Sequence, residues 1–319
     1  MKAMLLKLLP FLDALLLPVL VPAAWLLRFV RRAGVDRLPK CRSALVSIGV
    51  FPIRDHYYEP QFNYRHLRHP FSRDRSLPGI DWNVPEQLEM LAGFSFAGEL
   101  AGISVEKSDA LDFYLNNPFF STGDAEHWYQ LIRKTKPSRI FEIGSGHSTL
   151  MASKAVRRNR EDDANYQCRH VCIEPYEMPW LETIGVEVVR QKVEELPTAF
   201  FSELAGNDIL FIDSSHVIRP QGDVLFEFLE LLPTLSKGVI VHVHDIFSPR
   251  NYPSQWLEGE VRFWNEQYLL EAFLSHNKTW KIIGALNFLH HNCYDQLKSV
   301  APFLSPEREP GSFYIQKIA

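Results

Sequence analysis

A chain of 319 residues with 46% hydrophobic and 23% charged residues sits near the globular average, which excludes a disordered or fibrous protein. The net charge of −4 is unevenly spread: residues 1–45 hold eight Lys and Arg against two Asp, leaving 26 basic against 36 acidic groups beyond them. An acidic body offers no basic stripe to a phosphate backbone, so nucleic acid is excluded as a primary partner.

From Leu5 to Val30 the sequence is dominated by Leu, Val, Ala, Phe and Trp, about as long as the ~20 residues that span a bilayer. Asp13 lies inside it, and Pro10, Pro18 and Pro22 each remove a backbone donor. The stretch therefore predicts a broken helix, lying in the interface or packed on the protein, and not a clean span. Arg28, Arg31, Arg32, Arg37, Lys40 and Arg42 follow, a cluster that attracts anionic lipid by about 1 kcal/mol per charge. The expectation is membrane-surface contact through residues 5–42, with the body in the cytoplasm at the face of a membrane. A cleaved signal is opposed by the arginines and by the lack of an A-x-A site. Cys41, Cys168, Cys172 and Cys293 are too scattered for a disulfide framework and form no CxxC pair, so they read as reduced thiols.

Residues 46–120 are irregular and aromatic, densest from Phe51 to Pro60, with turn signals at Leu77-Pro78-Gly79. From Pro137 onward, short apolar runs alternate with amphipathic stretches, the pattern of a parallel sheet wound by helices. Strands are predicted at 139–143, 170–174, 186–190, 208–213, 239–244, 281–286 and 312–316, with a helix from near Ser148 after the first. The predicted division is a hydrophobic, basic, membrane-associating segment over 1–45, a helical and irregular cap over 46–120, and an α/β domain over 121–319. That domain is expected to be a doubly wound, mostly parallel, Rossmann-like sheet of seven strands.

Phe141-Glu142-Ile143-Gly144-Ser145-Gly146-His147-Ser148-Thr149 reads as a strand turning through two glycines into a helix. The glycines let the backbone approach a ligand, and the helix start offers free amides. Thr149 stands where the dinucleotide fingerprint requires its third glycine. Glu142 would repel a pyrophosphate but attract a cationic amino-acid end, which favours S-adenosylmethionine over NAD.

Glu142-Ile143-Gly144-Ser145-Gly146 resembles the first motif of the class I S-adenosylmethionine-dependent methyltransferases, and the match runs in order from about Pro137 to the C-terminus. The resemblance implies cofactor contacts at Glu142, Gly144, Ser145, Gly146 and Asp213. It also implies a ribose-binding carboxylate at Glu174, and one carboxylate can accept from two hydroxyls. Asp208-Ile209-Leu210-Phe211-Ile212-Asp213-Ser214-Ser215-His216 and His242-Val243-His244-Asp245-Ile246-Phe247 are similar to a bacterial branch often found with sugar and cell-envelope biosynthesis.

The carboxyl ends of an open parallel sheet border its ligand crevice, so Asp213, His216, His244 and Asp245 are expected to converge there. His242, deeper in its strand, reads as a hydrogen-bonded core histidine. His216 or His244 would act as base, oriented by Asp245 or Asp213. The competing reading is a divalent metal on Asp213, His216 and Asp245. Trp264 and Tyr268 read as part of a packed amphipathic helix outside the site. The expected function is O-methylation of a small-molecule or glycan hydroxyl. The alternatives are an inactive methyltransferase-like scaffold at the membrane and a metal-dependent, hydroxylase-like enzyme on the same fold.

Overall fold

The computed structural model describes residues 2–109 and 111–319, with the side chains of residues 2–7 outside the description. The chain divides into two compact units, residues 1–69 and 70–319.

The first unit contains α1 (Lys2–Ala33) and α2 (Pro39–Ile48). α1 runs without a break through Pro10, Pro18 and Pro22, where the sequence predicts interruptions. Each proline removes one ladder bond, and the rest of the ladder carries the helix across the gap. The side chains from Leu8 to Phe29 are exposed or, at Leu27, half-buried, and Val30 is the buried apolar residue of the helix among the described side chains. Residues 5–7 of the expected membrane segment fall among the side chains outside the description.

The second unit opens with α3 (Val84–Ala92) and α4 (Ala97–Leu100), then α5 (Asp124–Thr135). A sheet follows: β1 (Arg139–Ile143), α6 (His147–Asp162), β2 (Arg169–Ile173), β3 (Glu187–Val189), β4 (Ile209–Ile212), α7 (Asp223–Leu225) widening into a π-helical segment at Phe226–Leu231, and β5 (Ile240–Val243). α8 (Glu266–Leu274), β6 (Trp280–Ala285), α9 (Leu286–Asn292), α10 (Tyr294–Val300) and β7 (Phe313–Lys317) complete it. Each sequence-predicted strand appears within one residue at both ends. The central strands β4 and β5 are short runs buried on both faces, which is why they read as strands without polar alternation, whereas the edge strand β3 is only partly covered.

The sheet order is β3-β2-β1-β4-β5-β7-β6, parallel except for β7, which runs antiparallel to both neighbours. Ile140, Ile209, Phe211 and Ile240 face one apolar layer with residues of α5, α6, α9 and α10. Phe141, Ile143, Leu210, Ile212, Val241 and Val243 face the other, against the π-helical segment and α8. The strand order reverses between β1 and β4, and ligands of such sheets bind outside the carboxyl ends at that reversal.

Candidate active site

The site is built where β1, β4 and β5 end. Asp213 donates its amide to Ile143 O at 2.8 Å, and His244 donates its amide to Ile212 O at 2.9 Å, so the ladders align the three strand ends. Gly144, the first residue past β1, has φ +79, and a Cβ there would stand 2.0 Å from the carbonyl oxygen of Asp213. The turn into α6 can therefore lie against the end of β4 only because residue 144 lacks a side chain. Ser145 has a buried hydroxyl without a hydrogen-bond partner. Gly146 donates its amide to Thr149 Oγ1 at 3.0 Å, so Thr149 closes the first turn of α6 where the dinucleotide fingerprint has glycine. Glu174 ends β2 half-buried, with Oε1 accepting from the amides of Tyr176 and Glu177 at 3.0 Å each. Both of these bonds use Oε1, so the turn leaves the second oxygen uncommitted. An unpartnered hydroxyl, a side-chain-free turn and a half-committed carboxylate around one crevice fit the amino-acid and ribose parts of S-adenosylmethionine.

Glu142 is placed differently from a residue lining the crevice. It is fully buried, accepting from Ser148 Oγ at 3.0 Å and Thr149 Oγ1 at 2.8 Å and paired with His170 of β2. Its charge acts from beneath the glycine turn and fixes that turn to α6 and β2. Burial lowers the His170 pKa, but the Glu142 charge and a hydrogen bond with Cys172 outweigh it and push His170 up to about 10. A histidine whose folded pKa is raised contributes stability that is present below its unfolded value near 6.5 and lost as pH rises through the folded one. Thermal melts of the wild type should therefore fall between about pH 6.5 and pH 10. His170→Gln should flatten that slope, and an unchanged slope would contradict the assignment.

The four sequence-predicted polar residues do converge. Asp213 Oδ1 lies 3.3 Å from His216 Nε2 and 3.4 Å from His244 Nδ1. Asp245 lies 3.6 Å from each of the two rings. The side chains of Asp213 and Asp245 are 34% and 17% exposed, while the two imidazoles are nearly closed off, so the carboxylates form the crevice surface. His216 and Asp245 both adopt left-handed backbone conformations, φ +60 and +59, which cost non-glycine residues on the order of 1–3 kcal/mol each. Such strain persists where surrounding contacts over-determine the geometry.

Three further residues complete the cluster. Glu266, the first residue of α8, is fully buried and lies 2.7 Å from His216 Nδ1, which aims Nε2 at the two aspartates. Trp264 lies against His216 with ring centroids 4.2 Å apart and the planes tilted by 40°, which corrects its placement outside the site. Asp124, at the start of α5, accepts from the amides of Gly311 and Ser312 at 2.9 and 2.7 Å and stands 3.9 Å from His244 Nε2. Asn265 and Glu266 both donate their amides to His216 O, tying this turn to the β4 loop. Asp124 and Glu266 open helices 120 and 50 residues from His244 and His216, the histidines they meet, and sequence distance hid them. A polar residue at a helix start was the available signal. Tyr268 bonds Asn251 at 3.1 Å and takes no part in the cluster.

Burial opposes charge on both imidazoles, yet the carboxylates reverse it. Hydrogen bonds to Asp213 and Glu266, with the Glu266 and Asp245 charges, raise His216 well above its ordinary value. The Asp245 and Asp213 charges and hydrogen bonds to Asp124 and Asp213 do the same for His244. Burial pushes Asp213 up, but His244 and His216 hold it far below the usual carboxylate range. Asp245 goes the other way, raised by burial and by Asp213 and Asp124 against the two histidines. The carboxylates thus favour the charged form of both imidazoles, and burial with the neighbouring aspartates favours the protonated form of Asp245.

His242 lies in the core as expected, but neither ring nitrogen has a hydrogen-bond partner. The ring stacks on Tyr314 at 4.1 Å, and burial holds it well below its ordinary pKa, hence neutral. Among the described residues two groups place three ligand atoms close enough for a metal ion: Asp213, His216 and Asp245, and the fully buried Glu142, His170 and Cys172. The first combines oxygen and imidazole donors at a crevice, with Glu266 orienting the histidine from behind as second carboxylates do in metal sites. That donor set fits a divalent cation.

Comparison with known proteins agrees with the geometry. Residues 141–246, from β1 to just past β5, match a family described as Methyltransferase domain. The chain is 29% identical over 180 residues to an uncharacterized protein of Archaeoglobus fulgidus, covering 50% of this chain and 76% of that relative. The matched segment contains the glycine turn, Glu174, Asp213, His216, His244 and Asp245, and over this segment the chain is similar to a methyltransferase domain on a Rossmann-like sheet.

Proposed function

We propose that this protein is an S-adenosylmethionine-dependent O-methyltransferase acting on a small-molecule or glycan hydroxyl at the cytoplasmic face of a membrane. The observation that carries the reading is the juxtaposition of the Gly144–Gly146 turn with the Asp213, His216, His244 and Asp245 cluster at one sheet reversal. Held along Gly144, Ser145, Gly146 and Glu174, the cofactor would supply the methyl group to the acceptor oxygen. The chain holds the acceptor oxygen in line with that group and takes the hydroxyl proton, for which Asp245 is the acceptor and Asp213 the charge that fixes both imidazoles. A divalent ion on Asp213, His216 and Asp245 is supported by the donor set, and it would acidify the hydroxyl by charge. Membrane contact is supported by the exposed apolar α1 and the arginines that follow it.

Calorimetric titration of S-adenosylmethionine and S-adenosylhomocysteine into the full chain, with NAD as control, tests the cofactor. Micromolar binding is expected. Glu174→Ala should weaken it about 100-fold, since it removes a charged acceptor for two hydroxyls, each such bond being worth roughly 1.5–3 kcal/mol. Wild-type affinity in that variant would remove Glu174 from the cofactor site, and no binding by the folded wild type would overturn the methyltransferase reading.

A further inference from the structure

The last turns of α1 and the segment after α2 line a cleft of about 520 Å³ within the first unit. Arg28, Arg32, Arg54, His56 and Gln61 supply its donors, Asp55 is the carboxylate on its lining, and Leu27 and Ile53 add apolar wall. Arg28 and Arg32 stand one turn apart on the same helix face, so their guanidinium groups reach the same space. Among the described residues neither has a carboxylate partner. Arg28 lies over the Trp25 ring at 5.1 Å. Arg54 Nε is buried without a hydrogen-bond partner, 3.6 Å from a Glu59 that Arg31 already engages. Counting Arg31, four guanidinium groups thus stand against two carboxylates, Asp55 and Glu59, an excess that calls for an anion.

The position of the cleft says where that anion comes from. Leu8–Ala33 is a 26-residue helix segment with mean hydropathy 1.9 and none of its most apolar window buried. At 1.5 Å per residue it is about 39 Å long, enough for a hydrocarbon core of roughly 30 Å. Arg28 and Arg32 fall at its C-terminal end, the depth of lipid phosphates if the helix is inserted. Exposed Trp25, Phe29, Tyr57 and Tyr58 surround the same end of the unit's sequence pattern, residues that favour the water–hydrocarbon boundary.

We propose that this cleft binds the terminal phosphate of a membrane lipid, with Arg28, Arg32 and Arg54 donating to its oxygens. The proposal rests on the membrane reading of α1 and is independent of methyl transfer. A phosphomonoester presents three free oxygens and up to two charges, which matches three guanidinium donors. A phosphodiester presents two free oxygens and one charge.

Vesicle flotation of the full chain tests this, using phosphatidylcholine vesicles doped with phosphatidic acid or with phosphatidylglycerol at matched surface charge. The wild type should prefer phosphatidic acid by about tenfold. Arg28→Gln/Arg32→Gln/Arg54→Gln should lose that preference yet still float with both. Arg37→Gln/Lys40→Gln/Arg42→Gln, outside the cleft, should weaken both alike and keep the preference. Equal flotation of the wild type with both lipids would overturn the headgroup site while leaving membrane contact intact. No flotation with any vesicle would sink the membrane reading itself. Micromolar binding of inorganic phosphate to the detergent-solubilised chain, abolished by the cleft substitutions, would overturn the lipid as its source.

Discussion

Gly144→Ala is expected to lower affinity for S-adenosylmethionine by more than about 100-fold and to lower the melting temperature, because two independent costs fall on one residue. The φ of +79 disfavours any side chain, on the order of 1–2 kcal/mol. The added Cβ would also sit 2.0 Å from Asp213 O and 2.9 Å from Asp213 C, and these are backbone atoms. Asp213 cannot swing aside, since its amide is bonded to Ile143 O at 2.8 Å in the β1–β4 ladder. The glycine turn must move instead, and displacement of about 1 Å at such a site is worth roughly 10²-fold. Two controls separate the causes. Gly185 has φ +80 with nothing within 4 Å of its virtual Cβ, so Gly185→Ala should cost stability alone. At Gly146, whose φ is 170, a Cβ would meet only Met178 Cε at 3.8 Å within the chain, so Gly146→Ala should keep the wild-type melting temperature, and any loss of affinity there reports the methyl group against the cofactor. Wild-type binding by Gly144→Ala would mean the turn is not the cofactor cradle.

Asp213→Asn is expected to weaken Mn²⁺ binding by about 100-fold or more, followed by electron paramagnetic resonance of the free ion. The substitution keeps the shape of the side chain and removes the charge of the most exposed carboxylate in the cluster. A divalent ion would compete with a proton for His216, whose charged form the neighbouring carboxylates favour, so affinity should also rise with pH in the wild type. A wild type that binds no Mn²⁺ at any pH between 6 and 9, roughly the range in which such linkage operates, would remove the metal and leave the ion-paired imidazolium cluster as the working site. Undiminished Mn²⁺ binding in the variant would place the ion elsewhere, with the buried Glu142, His170 and Cys172 group as the next position to substitute.

Much of this site was legible in the sequence because its parts are local. Apolar runs such as Asp208–Asp213 and Val239–His244 end abruptly in ionisable residues, and in a parallel sheet every strand end points to the same edge. Asp213, His216, His244 and Asp245 follow from that rule without coordinates. The glycine turn was legible for the same reason. What the residue types could not disclose was which side of the turn Glu142 occupies. Strand alternation gives two faces, and only the packing of Ser148, Thr149 and His170 against one of them shows the carboxylate to be buried.

The sequence by itself determined the seven strands, the glycine turn between β1 and α6 and the convergence of four polar side chains, since each depends on short-range periodicity and on the common direction of parallel strands. Tertiary structure alone decided that α1 stays continuous through three prolines, that Trp264, Glu266 and Asp124 join the cluster, and that carboxylates surround both histidines and favour their charged form. Those outcomes depend on which distant groups share a few cubic ångströms, and charge states follow distance and burial, which no spacing along the chain encodes.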